Sequence, residues 1–271
     1  MAHYQVIIAY DGTNFQGFQR QGSSRTVQAE IEAALHHLKW QGDAIFYAGR
    51  TDSGVHASGQ VIAFDLEWAH PPEALGQALN AHLPADIVAR EVSLAAADFH
   101  PRFKATARRY QYHLFCQPNR DPLRERYAWR VWPQVESSLL IQAAASLPGT
   151  HDFAAFGSPL KPGGTTTRTI FAAEWAAEAD GWSFTVTANA FLYRMVRRLV
   201  FLQVLVGQQQ LSLETFAAAL QSPSPLTPGL AKPSGLVLER VLYTNDWLIT
   251  KGSYQTLIAS GDKDSGKDVR H

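Results

Sequence analysis

Two spacings of apolar residues alternate along the chain, one of period two and one of helical period, and their order outlines a fold. Over 58–66, Ile62, Phe64 and Leu66 share one face, the mark of a strand, and runs near 4–10, 44–48 and 86–93 read the same way. Val27, Ile31, Leu35 and Leu38 recur at helical spacing over 26–39, with Thr26 placed to cap the first turn. A second helix is predicted over 72–82, opened by Pro71 and Pro72 and apolar at Leu75, Ala78 and Leu79. Beyond residue 105 the pattern repeats, with strands near 107–116, 168–178, 182–189 and 236–243 and helices near 136–147, 191–207 and 212–221. Asp180-Gly181 signals a hairpin, after which Trp182, Phe184, Val186 and Ala188 alternate. In the helix over 191–207, Leu192, Val196, Leu199, Val200 and Val204 form the apolar side, while Arg194, Arg197 and Arg198 share a neighbouring face.

Each half thus repeats strand, helix, strand, strand, helix, strand, an order that fits a ferredoxin-like unit. The expected fold is α+β, with two such halves, 1–105 and 106–250, whose antiparallel sheets join across a central cleft. Residues 251–271 are polar and aperiodic and are expected to be a mobile tail. With 271 residues, 46% of them apolar, the chain can bury one substantial core or two smaller ones, which excludes disordered and fibrous classes. No apolar run approaches membrane-spanning length, and Met1-Ala2-His3-Tyr4 enters a strand without the layout of a signal peptide, so the expected compartment is the cytoplasm. The lone Cys116 excludes an internal disulfide, and without zinc-type Cys or His spacings no metal is expected. Net charge is zero, yet between His100 and Arg130 eight cations (Arg102, Lys104, Arg108, Arg109, Arg120, Arg124, Arg126 and Arg130) meet only Asp121 and Glu125. That local excess of six reads as a footprint for phosphate.

The strongest chemical signal is Gly49-Arg50-Thr51-Asp52-Ser53-Gly54-Val55-His56, which sets a carboxylate between two glycines in a tight connection at the edge of an apolar strand. Taken alone, such an aspartate is a turn residue bonding its own backbone. The longer string to Gln60 resembles the active-site loop of tRNA pseudouridine synthases of the TruA class, with Ser53 standing where alanine is usual. Further blocks match in the family's order, among them Asp11-Gly12-Thr13, Arg25-Thr26-Val27-Gln28, Arg108-Arg109-Tyr110, His151-Asp152-Phe153, Arg168-Thr169-Ile170, Met195-Val196-Arg197 and Gly235-Leu236-Val237-Leu238. They cover most of residues 4 to 243.

The resemblance implies a cofactor-independent isomerase that breaks the glycosidic bond of a uridine in tRNA, turns the base and rejoins it through carbon 5. Asp52 is then the essential carboxylate; attack on the ribose, attack on the base and removal of a ribose proton are all open to it. Arg197 is implied as its cationic partner, favouring the charged form. Tyr110 is implied to stand against the target base, where its ring could stack and its hydroxyl could take part in removing the carbon 5 proton. Arg50 is expected as a wedge or phosphate clamp, and Arg109, Arg168 and Arg194 as further substrate contacts. Gly149 to Thr167, rich in Gly, Pro and Thr, is expected to be a lid or an RNA-contacting loop. The family version acts at nucleotides 38 to 40 of the anticodon stem-loop and works as a homodimer. Two other classes compete. An aspartic protease also uses an Asp-Ser-Gly loop, but its two carboxylates share a proton, which an arginine partner would prevent. A non-catalytic RNA-binding module explains Tyr110 and the basic segment and leaves the Asp52 loop idle.

Overall fold

The computed structural model describes residues 1–221 and 226–243, so the expected tail 251–271 lies outside the described residues. The first half holds β1 (Ala2–Tyr10), α1 (Val27–His37), β2 (Phe46–Tyr47), β3 (His56–Leu66), α2 (Pro72–His82) and β4 (Ile87–Leu94). There follow β5 (Ala107–Cys116), β6 (Trp129–Val131), α3 (Ser137–Ala145), β7 (Gly149–Asp152), β8 (Thr167–Glu178), β9 (Gly181–Ala188), α4 (Met195–Gly207), α5 (Leu213–Gln221) and β10 (Leu236–Leu242). All the strands belong to one sheet in the order β4-β1-β3-β10-β5-β9-β8-β7, with β2 paired to β3 and β6 to β5. The predicted local signals do their expected work. Thr26 accepts from the Ala29 N–H, Pro72 opens α2, and Glu178 pairs with Gly181 where β8 turns into β9.

Most neighbouring strands are antiparallel, but the seam between the halves is not. There β10 runs parallel to β3, with Val237 opposite His56 and Leu238 opposite Ala57. The last strand of the described chain therefore closes the join. A Cβ on Gly59 would lie 2.1 Å from the carbonyl oxygen of Glu239, so the close approach of these backbones needs glycine there. Two apolar cores flank the seam and interlock across it. Leu238 and Val241 of β10 pack with Ile8, Ile31 and Leu35 of the first half, while Val55 packs with Phe184, Leu199 and Val200 of the second.

Four features depart from the sequence pattern. Strands β6 and β7 are only three and four residues long and carry no readable alternation; the ladders of β5 and β8 hold them. The segment 149–167 begins as β7 and is anchored by the fully buried Phe153 and Phe156, which makes it less a free lid than a packed loop. Helix α4 starts at Met195, because Arg194 adopts a left-handed backbone (φ 63°) and the Tyr193 N–H bonds to the Ser158 carbonyl. Glu32 on α1, a charged residue outside the helix's apolar stripe, is buried, where it accepts from the Ile45 N–H and pairs with Arg20.

Candidate active site

The loop between β2 and β3 carries Asp52, and its backbone is tied on several sides. The Phe18 N–H donates to Thr51 O (3.1 Å), the Gly54 N–H to Phe15 O (3.3 Å) and the Val55 N–H to Asp52 O (3.1 Å). The Ser53 hydroxyl donates to Phe15 O at 3.1 Å, and the buried Gln60 amide to Gly49 O at 2.7 Å. Gly54 takes φ +76°, a left-handed turn that glycine makes without a Cβ penalty. So held, Asp52 opens into a groove of about 920 Å³ between the halves.

From the far side, Arg197 on the first turn of α4 reaches the same carboxylate. Its Nη1 donates to Asp52 Oδ2 at 2.9 Å while its Nε donates to Ala231 O at 2.9 Å. The two side chains keep 12% and 23% exposure, so the pair is partly desolvated but open to a ligand. Asp52 Oδ1 accepts no hydrogen bond among the described residues, so one oxygen of this groove-lining carboxylate is unused.

Tyr110 on β5 lines the groove and meets Phe191 edge-on, with ring centroids 5.1 Å apart. Burial pushes its phenol up to about 12; Arg108 opposes the shift and the Asp52 carboxylate adds to it. The hydroxyl is consequently protonated at neutral pH. Arg50 also lines the groove, where its Nε approaches the Tyr47 hydroxyl at 3.4 Å, and so does Arg194, whose guanidinium lies 4.7 Å from the Tyr193 ring centre.

The other two expected contacts are elsewhere. Arg109 alternates to the opposite side of β5 from Tyr110, donates to Thr187 Oγ1 and stands 3.9 Å from Glu239. Arg168 sits on β8, two strands away from β5, and folds back on the carbonyls of Thr165 and Thr167. Neither lines the groove.

Two further groups flank the Asp52 loop, one counted in the sequence only as part of the basic segment and one given no role there. Arg108 lines the groove and donates to the carbonyls of Ala48, Arg102, Ala105 and Asn189, tying both halves to the Asp52 loop. The period of two in β5 places it on Tyr110's face, so alternation alone could have found it. The second is His56, buried at the start of β3, whose Nδ1 accepts from the Gly12 N–H at 3.0 Å. That bond puts the ring proton on Nε2. Asp11 stands 3.2 Å from the same Nδ1 and accepts from Thr13, Arg126 and Tyr127. Burial opposes ionisation of Asp11, yet those donors outweigh it and hold the carboxyl well below the usual range.

The distribution of charge differs from the sequence-level footprint. Within 100–130, Lys104 pairs with Asp98, Arg109 with Glu239, Arg120 and Arg130 with Glu125, Arg124 with Asp180 and Arg126 with Asp11. Asp98, Glu239, Asp180 and Asp11 thus offset four charges of that excess from outside the segment, while Glu125, already counted within it, is shared by Arg120, Arg130 and Lys232. The groove itself is the unbalanced surface: among the described residues five arginines line it (Arg50, Arg102, Arg108, Arg194 and Arg197) and Asp52 is the single carboxylate. A protease dyad would need a second carboxylate there; the chain's other Asp-Ser-Gly, Asp264-Ser265-Gly266, lies outside the described residues.

A single carboxylate clamped by one arginine within an arginine-lined groove belongs to a class of site that acts on a polyanion. The sequence profile of the family described as tRNA pseudouridine synthase matches residues 6–104 and 143–244, and the chain belongs to that family. Its members isomerise uridine to pseudouridine in tRNA. A tRNA pseudouridine synthase A of Geobacillus kaustophilus is 40% identical over 248 residues, 90% of this chain and 96% of the relative. The protein of the same name from Bacillus subtilis is 37% identical over 241 residues, 88% and 98% of the two chains. That from Neisseria gonorrhoeae is 36% identical over 250 residues, 92% and 94%. Among solved structures, a Cbf5-Nop10-Gar1 complex aligns with TM-score 0.37 and 14% identity over 74% of this chain and 45% of that one, too distant to add to the assignment. Among the described residues, no helix is long and apolar enough to cross a membrane.

Proposed function

We propose that the chain converts uridine to pseudouridine at nucleotides 38 to 40 of the tRNA anticodon stem-loop, with Asp52 as nucleophile. The halves 1–105 and 106–250 act together, as a cytoplasmic homodimer in which one tRNA spans both subunits. The reading is carried by the Asp52–Arg197 pair, which spans the groove and leaves Oδ1 of the carboxylate without a partner among the described residues. The uridine N1–C1′ bond breaks, the uracil rotates, and C5 bonds to C1′; the C5 proton leaves and N1 gains one, so no electrons are transferred. Asp52 supplies the negative charge that cleavage requires, and Arg197 orients it. Tyr110 presents a ring for the extruded base. A phenol held protonated takes the C5 proton only by passing on its own in the same step. Arg50 and Arg194 meet the backbone phosphates, while the placements of Arg109 and Arg168 favour a structural part for both.

The test is Asp52→Asn, assayed by tritium release from tRNA labelled at uridine carbon 5. Turnover should vanish while tRNA binding stays within a few-fold of the parent. Retained turnover refutes the nucleophile, and the same assay separates a synthase from a protein that only binds RNA.

A further inference from the structure

Phe103 is 77% exposed although it stands on the wall of the groove that holds Asp52. Its ring centre is 4.3 Å from that of His100, which lies 4.9 Å from Phe46, itself 43% exposed. The turn bearing this strip is fixed rather than loose. The Phe103 and Lys104 N–H groups both donate to His100 O, and the Arg102 N–H donates to His100 Nδ1. From below, Arg108 Nη2 donates to Arg102 O at 2.7 Å and also to Ala48 O at 3.3 Å, which links this turn to the Asp52 loop. Arg102 lines the groove beside Phe103 and has no carboxylate partner among the described residues, unlike most cations of its segment.

A preorganised aromatic surface beside an unneutralised guanidinium matches one unit of single-stranded RNA, a base with its phosphate. An apolar protein surface would satisfy the rings and leave Arg102 desolvated without a partner. We propose that Phe103, backed by His100 and Phe46, is a stacking ledge for a base next to the target uridine, with Arg102 taking the adjoining phosphate. This rests on the reading that the groove receives a tRNA uridine. It places a base-binding surface outside the catalytic pair, and it explains why the chain keeps a large apolar ring in water.

The test uses the full chain and an anticodon stem-loop RNA carrying 2-aminopurine on one side or the other of the target uridine, a base whose fluorescence falls on stacking. The parent should quench one of the two probes. Phe103→Ala and Phe103→Leu should lose that quench and raise KM for tRNA about tenfold, whereas Phe103→Trp should retain both. Because the side chain is exposed, thermal melting of these variants should match the parent. Failure of the parent to quench either probe, or a Phe103→Ala variant within twofold of the parent in KM with its quench intact, overturns the ledge. Conversion of a dimer to a monomer by Phe103→Ala, seen by light scattering, overturns it in favour of a contact between copies. Tritium release by the parent is measured in parallel: its absence from every tRNA would count against the isomerase reading itself.

Discussion

Asp52 and Arg197 are 145 residues apart in the chain and 2.9 Å apart in space, and the roles proposed for both depend on that contact. Arg197 uses two donors in different directions, one on Asp52 and one on Ala231 O. A lysine is a single point charge and cannot reproduce that fork. We expect Arg197→Lys to keep the fold and lose roughly 100-fold or more in kcat, as loss of one oriented donor typically costs. Arg197→Ala should also destabilise, by less than the roughly 3–5 kcal/mol of a fully buried pair because both groups keep some solvent. Urea titration of the two variants separates these effects. Protonation has its own signature here. Burial lowers the His56 pKa below the ordinary 6.5, so the unfolded chain takes up a proton at a pH where the folded chain does not. Its contribution is intact above about 6.5 and is lost as pH falls through the lower folded value. Asp11, also lowered, adds a further loss only below its ordinary 3.8. Calorimetry should therefore show melting falling from pH 7 to pH 5, and His56→Asn, which keeps an acceptor for Gly12 but does not titrate, should flatten that fall.

At the scale of elements, the period of the apolar residues was enough to place every long strand and helix. Single residues explain why: Thr26 caps α1, Pro72 opens α2, and β9 keeps Phe184, Val186 and Ala188 on its buried side. Strands β6 and β7 escaped because three or four residues cannot display a period, and their order comes from the strand beside them. The start of α4 was misplaced for a related reason. Nothing local in Phe191 to Arg194 forbids a helix; the bond from Tyr193 to Ser158 does. The β3–β10 seam makes a sharper claim. Gly59→Ala would drive a methyl against Glu239 O, and we expect it to cost about 1–3 kcal/mol in stability, with activity lost in parallel because the seam sets the distance between the halves. A variant as stable as the parent would show that β10 can shift without consequence.

Across the whole molecule, charge counted along the sequence and charge counted in space disagree. The excess in 100–130 suggested an RNA-binding strip, yet Arg120, Arg124, Arg126 and Arg130 are held by Glu125, Asp180 and Asp11. Arg124→Ala, which removes a cation paired with Asp180, should accordingly leave the salt dependence of tRNA binding almost unchanged. Removal of Arg50, Arg102 or Arg194 should reduce the slope of log K against log salt by about 0.7–0.9 each, as expected when one phosphate contact is lost. Titrations from low to moderate salt decide between the strip and the groove. By itself the sequence determined the elements, the loop that carries Asp52 and the family, because periodicity, caps and a contiguous motif are local properties of a chain. Tertiary structure alone decided that β10 lies between the halves and that five arginines share one groove in which Asp52 is the one carboxylate among the described residues. Those outcomes depend on contacts between segments more than a hundred residues apart, whose energies no local pattern records.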